Sequence, residues 1–171
     1  VIKERKVPFD ERLARTYFQQ LIEGLEYLHQ NKVAHLDLKA ENLLLGDNLK
    51  LKIADFDLSY REGSGKILSY GTKYFRAPEV IKGEIMDPYK ADIFSAGILL
   101  FAFLTSGNIP QCEDEMFNGE NLRDLMFHNP DSFWKTHTKL LGKKDCFFSQ
   151  DFKDLFLGMT RPNPNERLSI E

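Results

Sequence analysis

The stretch Val33-Ala34-His35-Leu36-Asp37-Leu38-Lys39-Ala40-Glu41-Asn42, followed by Leu43-Leu44-Leu45 and then by Ile53-Ala54-Asp55-Phe56-Asp57, sets polar side chains inside apolar runs. An unpaired charge in such a setting is expensive, so something must compensate. Lys39 and Asn42 stand two and five residues beyond Asp37. Between Asn42 and Asp55, the apolar flanks around Gly46-Asp47-Asn48 read as a hairpin, because Gly and Asn tolerate the turn, and a hairpin returns Asn42 and Asp55 to the same end. One ammonium and several side-chain oxygens on adjacent strand ends outline a site for phosphate and a divalent cation. Magnesium takes hard oxygen ligands, with one or two from protein and the rest from water and phosphate, a share that Asn42 and Asp55 supply. Lys39 then faces phosphate as a point charge. Asp37 is left for a hydroxyl that attacks.

The elements that must position these groups are legible around them. Asp10 is an N-cap candidate, and Leu13, Tyr17, Leu21, Leu25 and Leu28 recur close to a helical period, which predicts an amphipathic helix from about Glu11 to Gln30. Ala14, Phe18 and Ile22 widen its apolar stripe, as a core-facing helix requires. His29 reads as a structural residue near the end of that helix. Asn31-Lys32 breaks it, and Val33 to His35 starts a short strand. From Leu58 to Phe75 no period survives; Gly63, Gly65 and Gly71 mark a long loop, a length that in compact domains is usually functional. Asp92 to Leu104 is apolar on nearly every side and predicts a buried helix. Farther on, Leu122, Leu125 and Met126 keep helical spacing, Phe133-Trp134 is a core anchor, and Phe152, Leu155, Phe156 and Met159 form a helix face. His128 and His137 read as surface or capping residues.

Composition sets the outer bounds. With 171 residues, 42% hydrophobic and 29% charged, the chain has the make-up of one globular unit. A formal charge of -3 gives no general attraction to nucleic acid or anionic membrane, so neither partner is expected. The longest apolar stretch, Ala96 to Leu104, is too short to span a bilayer. Cys112 and Cys146 lie far apart without metal-ligand spacing, and a chain of this size needs no disulfide, which suits reduced thiols in an intracellular, cytoplasmic protein.

At His35, Asp37, Leu38 and Asn42 the spacing resembles the catalytic loop of the eukaryotic protein kinase family, H-R-D-L-x-x-x-N. Asp55-Phe56 resembles the start of that family's D-F-G element, and Ala77-Pro78-Glu79 its A-P-E. The resemblance implies an α+β, mainly α-helical fold: a kinase-like C-terminal lobe with short hairpins at the cleft. Residues 1–171 would then be a partial kinase domain, cut at both ends and without the N-terminal lobe, because nothing here resembles the Gly-rich loop, the strand lysine or its helix glutamate.

The resemblance also implies chemistry, namely transfer of the terminal phosphoryl group of ATP to serine or threonine hydroxyls of protein substrates. In it Asp37 orients the hydroxyl and accepts its proton, Lys39 neutralises the migrating phosphoryl, and Asn42 and Asp55 hold Mg2+. The ATP-facing set is Lys39, Glu41, Asn42, Leu44, Ala54 and Asp55, with Leu44 as a floor for adenine. Glu41 attracts a basic substrate residue, and Thr72 touches Asp37 and Lys39 where substrate docks. Structural roles fall to His35, to Asp92 (a simple N-cap or an acceptor for backbone donors of the catalytic loop) and to Glu79, paired with Arg167.

Two departures from the family pattern stand out. Leu36 replaces the Arg of H-R-D, which implies activity without an activation-loop phosphate. Asp57 replaces the Gly of D-F-G, at a place where left-handed geometry is expected. A binding module that keeps the fold without turnover, a pseudokinase, is the competing reading. Turn chemistry explains any one Asp or Asn in a hairpin, but does not require His35, Asp37, Lys39, Asn42 and Asp55 together.

Overall fold

The computed structural model describes residues 10–65, 67, 71–84, 87–110, 116–117 and 120–170. The basic segment before Asp10, Cys112 and parts of the loop between Leu58 and Phe75 lie outside the described residues. Helix α1 spans Glu11–Gln30, with the Asp10 carboxylate accepting the Leu13 N–H at 2.7 Å to satisfy one of the orphan donors of the first turn. Its stripe Ala14, Phe18, Leu21 and Leu25 is buried. The chain leaves α1 through Lys32 at φ +60° and enters β1, Val33–Ala34.

A single 3-10 turn, Ala40–Asn42, then leads into the hairpin of β2, Leu43–Leu45, and β3, Leu51–Ile53. Their antiparallel register places Leu43 opposite Ile53, and the Ala54 N–H donates to the Asn42 carbonyl at 2.9 Å. Asn42 and the residues after Ile53 therefore leave the hairpin at one end. β4, Tyr60–Arg61, pairs antiparallel with β1 inside the stretch where the sequence shows no period; two residues are too few to carry one.

The polypeptide continues through a 3-10 turn, Lys73–Phe75, to α2, Pro78–Lys82, and α3, Pro88–Leu104. α3 starts four residues earlier than the apolar pattern indicates. Asp87 caps it, accepting from the N–H groups of Tyr89 and Lys90, and Pro88 takes the first helical position, where its missing N–H is no loss. Asp92 is thus inside the helix rather than at its cap. β5, Met116–Phe117, pairs with β6, Glu120–Asn121, and α4, Leu122–His128, α5, Pro130–Leu140, and α6, Gln150–Met159, complete the helical part. Among the described residues the architecture is mainly helical with three short antiparallel pairs.

α3 is buried along nearly its whole length, packed between α1 and α6. Gly97 sets the closeness of that packing: a Cβ there would stand 2.8 Å from Thr160 Cγ2 and 3.1 Å from Met159 Cβ. Phe101 joins this helix to a ring cluster of Phe133, Trp134, Phe148 and Phe156.

His137 belongs to the same cluster, 4.5 Å from the Phe133 ring centre, and its Nε2 lies 3.0 Å from the Pro110 carbonyl. It is 4% exposed, so the surface or capping role suggested by its spacing is wrong; α5 turns that face inward. Burial pushes its pKa down from 6.5 to about 4, against the opposing pull of the Pro110 carbonyl. The unfolded chain takes up the proton near pH 6.5 and the folded one only near 4, so this stabilisation is present above 6.5 and is lost as pH falls toward 4. At about 1.4 kcal/mol per unit, that is about 3 kcal/mol. The melting temperature of His137→Gln is therefore expected to fall less between pH 6.5 and 4.5 than that of the parent; parallel curves would contradict this.

Candidate active site

Asp37 is the centre of the site. It is 7% exposed, and its carboxylate is held on both oxygens. Lys39 Nζ donates to Oδ2 at 2.6 Å and to Thr72 Oγ1 at 3.1 Å, while the Thr72 hydroxyl donates to Oδ1 at 2.6 Å. Burial pushes the Asp37 carboxyl up, but the Lys39 ammonium and the Thr72 hydroxyl together outweigh it and hold the pKa below the usual aspartate value. Asp37 is therefore a carboxylate at neutral pH. A carboxylate so placed can accept a hydrogen bond from a hydroxyl.

Asn42 and Asp55 follow from the hairpin. The Asn42 amide Nδ2 donates to the Asp37 carbonyl at 2.9 Å and approaches Asp37 Oδ2 at 3.4 Å. That leaves Asn42 Oδ1 without a hydrogen bond among the described residues. Asp55 is exposed and sits at φ +65°, a left-handed position that Asp tolerates better than most residues. The conformational demand thus falls on Asp55, whereas Asp57, which stands where the family has Gly, is not in the left-handed region. The Asp57 N–H instead donates to Asp55 Oδ1 at 3.4 Å. No group of three or more His, Cys, Asp or Glu suited to a metal occurs among the described residues. The available donor set is two oxygen-bearing side chains, Asn42 and Asp55, which fits a magnesium ion that keeps phosphate and water as its other ligands.

His35 ties the two halves of the site together. Its Nδ1 accepts the Asp37 N–H at 3.2 Å, which requires the tautomer with the proton on Nε2, and Nε2 in turn donates to the Ala54 carbonyl at 3.0 Å. The ring packs edge-on against Phe56 at 5.1 Å. One side chain thus spans the loop carrying Asp37 and the strand end carrying Asp55.

Asp92, fully buried in α3, accepts the N–H of His35 at 2.7 Å and that of Leu36 at 2.8 Å, and lies 3.1 Å from His29 Nε2. Leu36 is at φ +63°, a conformation that costs about 1–2 kcal/mol for an ordinary L-residue and persists where the surroundings fix it. Asp92 is what fixes it.

Farther out, Arg167 forms a two-point pair with Glu79 at 2.7 and 3.0 Å. Its remaining donors reach the carbonyls of Arg161 and Lys90, and its guanidinium stacks 5.1 Å from the Phe94 ring centre. This pair fastens α2, and with it the end of the long loop, to the segment after α6.

Leu44 is 53% exposed on β2, and Ala54 is half-buried beside Asp55. Glu41 is exposed in the 3-10 turn and lines a groove with Lys39, Ala40, Thr72, Tyr74 and Phe75. The structure therefore brings Asp37, Lys39, Asn42 and Thr72 into direct contact, sets Asp55 at the same hairpin end, and leaves Glu41 and Leu44 on the rim. Sequence reasoning missed Arg76, whose guanidinium donates twice to the Gly71 carbonyl, at 2.9 and 2.6 Å. Only its position in the turn between Thr72 and Ala77 hinted at such a contact.

Comparison with known proteins decides the family. The family model described as "Protein kinase domain" matches residues 1–171. The chain belongs to the protein kinase family. Among its relatives, CBL-interacting protein kinase 26 of Oryza sativa subsp. japonica is 38% identical over 173 residues, covering 98% of this chain and 32% of the relative. CBL-interacting serine/threonine-protein kinase 20 of Arabidopsis thaliana is 37% identical over 174 residues, covering 99% and 36%. SNF1-like protein kinase ssp2 of Schizosaccharomyces pombe is 35% identical over 173 residues, covering 100% and 27%. The kinase chain described here thus spans about a third of the length of the curated relatives it matches. Among the described residues no helix is long and apolar enough to cross a membrane.

Proposed function

We propose that this chain is the C-terminal-lobe part of a serine/threonine protein kinase whose complete form transfers the γ-phosphoryl group of ATP to hydroxyls of protein substrates. The observation that carries this reading is the Asp37 carboxylate, ionised, buried, and flanked by one ammonium and one hydroxyl at 2.6 Å each. One relative named as a serine/threonine-protein kinase supports the choice of acceptor. Asp37 orients the incoming hydroxyl. As its oxygen bonds to the γ-phosphorus and the bond to the ADP oxygen breaks, the hydroxyl proton passes to the carboxylate. Lys39 offsets the charge on the migrating phosphoryl, and in the resting site its ammonium is already within reach of the Thr72 hydroxyl.

Asn42 and Asp55 are the residues that would hold Mg2+, which neutralises phosphate charge when bound. Leu44 and Ala54 form one wall of the ATP cleft, with Glu41 at its rim and toward the substrate. The exposure of Leu44 suits a face that another part of the kinase covers. Location inside the cell follows from the ATP requirement as part of the same proposal.

Phosphoryl transfer by the complete protein tests it. Asp37→Asn keeps shape and removes the proton acceptor, so the rate is expected to fall roughly 10²–10⁴-fold, the usual contribution of a positioned acid or base. If the complete parent protein transfers nothing while still binding a protein partner, the pseudokinase reading replaces this one.

A further inference from the structure

We infer that Arg76 is a positioning residue that sets the Thr72 hydroxyl on Asp37 by gripping the carbonyl of Gly71. The inference starts from the two hydrogen bonds, 2.9 Å from Nε and 2.6 Å from one Nη, that a single guanidinium makes to one oxygen. The 3-10 turn Lys73–Phe75 reverses the chain, with the Phe75 N–H donating to the Thr72 carbonyl, so that the Arg76 side chain can reach back across it.

The carbonyl chosen is the informative part. A peptide unit is planar, so the Gly71 C=O shares one rigid plane with the Cα atoms of Gly71 and Thr72. Fixing the direction of that carbonyl fixes where Thr72 begins, and the Thr72 hydroxyl lies 2.6 Å from Asp37 Oδ1. Gly71 itself sits at φ +59°, against the Leu36 carbonyl; a Cβ there would collide with that oxygen and would lie 3.4 Å from Asp37 Oδ1. Arg76, Leu36, Asp37 and Thr72 line one small recess. The catalytic loop is therefore pinned from the core by Asp92 and faced from the other side by the loop segment Gly71–Thr72, whose placement Arg76 holds. A point charge would not do the same, because the planar fork fixes angle as well as distance.

The kinetic consequence rests on the phosphoryl-transfer reading above, whereas the structural one does not. The test compares the complete parent protein with Arg76→Ala and Arg76→Lys in two measurements. In Arg76→Ala, kcat is expected to fall about ten- to a hundredfold, with the KM for ATP and the melting temperature unchanged, since small misplacement of a positioned group has that size of effect. Arg76→Lys keeps one donor and recovers part of the loss. Backbone amide exchange is expected to rise in Arg76→Ala across residues 71–76 and to stay unchanged in α3. Unchanged exchange at 71–76, unchanged kcat in an active parent, or a kcat loss that tracks a matching loss of melting temperature would each overturn the inference. A parent protein that transfers no phosphoryl group sinks the proposed function, and the exchange measurement then decides on Arg76 by itself. Should Arg76→Ala fail to fold, Arg76→Lys decides: reduced kcat at an unchanged melting temperature supports the assignment and parental kcat overturns it.

Discussion

Arg167→Ala is expected to lower the unfolding free energy by about 3–5 kcal/mol, the range seen when one partner of a buried ion pair is removed. Arg167 is 3% and Glu79 7% exposed, so the substitution strands a carboxylate where water cannot reach it. It also takes donors from the Arg161 and Lys90 carbonyls. Arg167→Lys is no remedy, because one ammonium cannot reproduce the two parallel bonds to Glu79. The comparison that isolates burial is the surface pair Arg15 and Glu11, 3.7 Å apart with side chains 64% and 39% exposed. Arg15→Ala is expected to change stability by no more than about 0.5 kcal/mol. Denaturant unfolding of both variants checks the pair of numbers; near-equal effects would contradict the role given to Arg167.

Asp92→Ala is expected to damage both stability and the site. Three donors lose their acceptor at once: the N–H groups of His35 and Leu36 and the Nε2 of His29. The His35 N–H is buried and the other two donors partly so; a buried donor left unsatisfied costs about 1–3 kcal/mol, so the total is a few kcal/mol. The second effect is local. Leu36 is held at φ +63° by that carboxylate, and its carbonyl is the surface against which Gly71 packs. Released, it moves Asp37, the next residue. Asp92→Asn discriminates between the two effects, because it keeps the volume but turns an amide NH2 toward one of the donors. The expected outcome is a loss of phosphoryl transfer by the complete protein, beyond what its unfolded fraction accounts for. Parental rate and melting temperature in Asp92→Ala would contradict the arrangement.

How much of this the sequence carries differs from element to element. α1 runs from Glu11 to Gln30, where the Asp10 cap and the apolar stripe place it, because both signals are local and agree. The hairpin around Gly46 was equally legible, and its register brings Asn42 and Asp55 to one end. What was not legible depends on partners distant in sequence. The β1 to β4 pairing involves two residues on each side, too short for any period. The left-handed geometry at Leu36 is set by Asp92 in α3, and the burial of His137 by the Phe101 ring cluster and the Pro110 carbonyl. The pairing of Arg167 with Glu79 follows from the family resemblance alone, since no local pattern links residues so far apart. The Arg76 contact with Gly71 is local in sequence, but nothing in residue type alone says that the side chain folds back.

Affinity of the complete protein for ATP, measured by calorimetry with and without Mg2+, tests the central claim most directly when the parent is compared with Asp55→Asn. If Asn42 and Asp55 hold the ion, Asp55→Asn weakens binding in the presence of Mg2+ by at least the roughly 10–100-fold that loss of a metal site's supporting partner costs, and leaves metal-free binding unchanged. Equal affinity of the two proteins for ATP in the presence of Mg2+ would contradict the site.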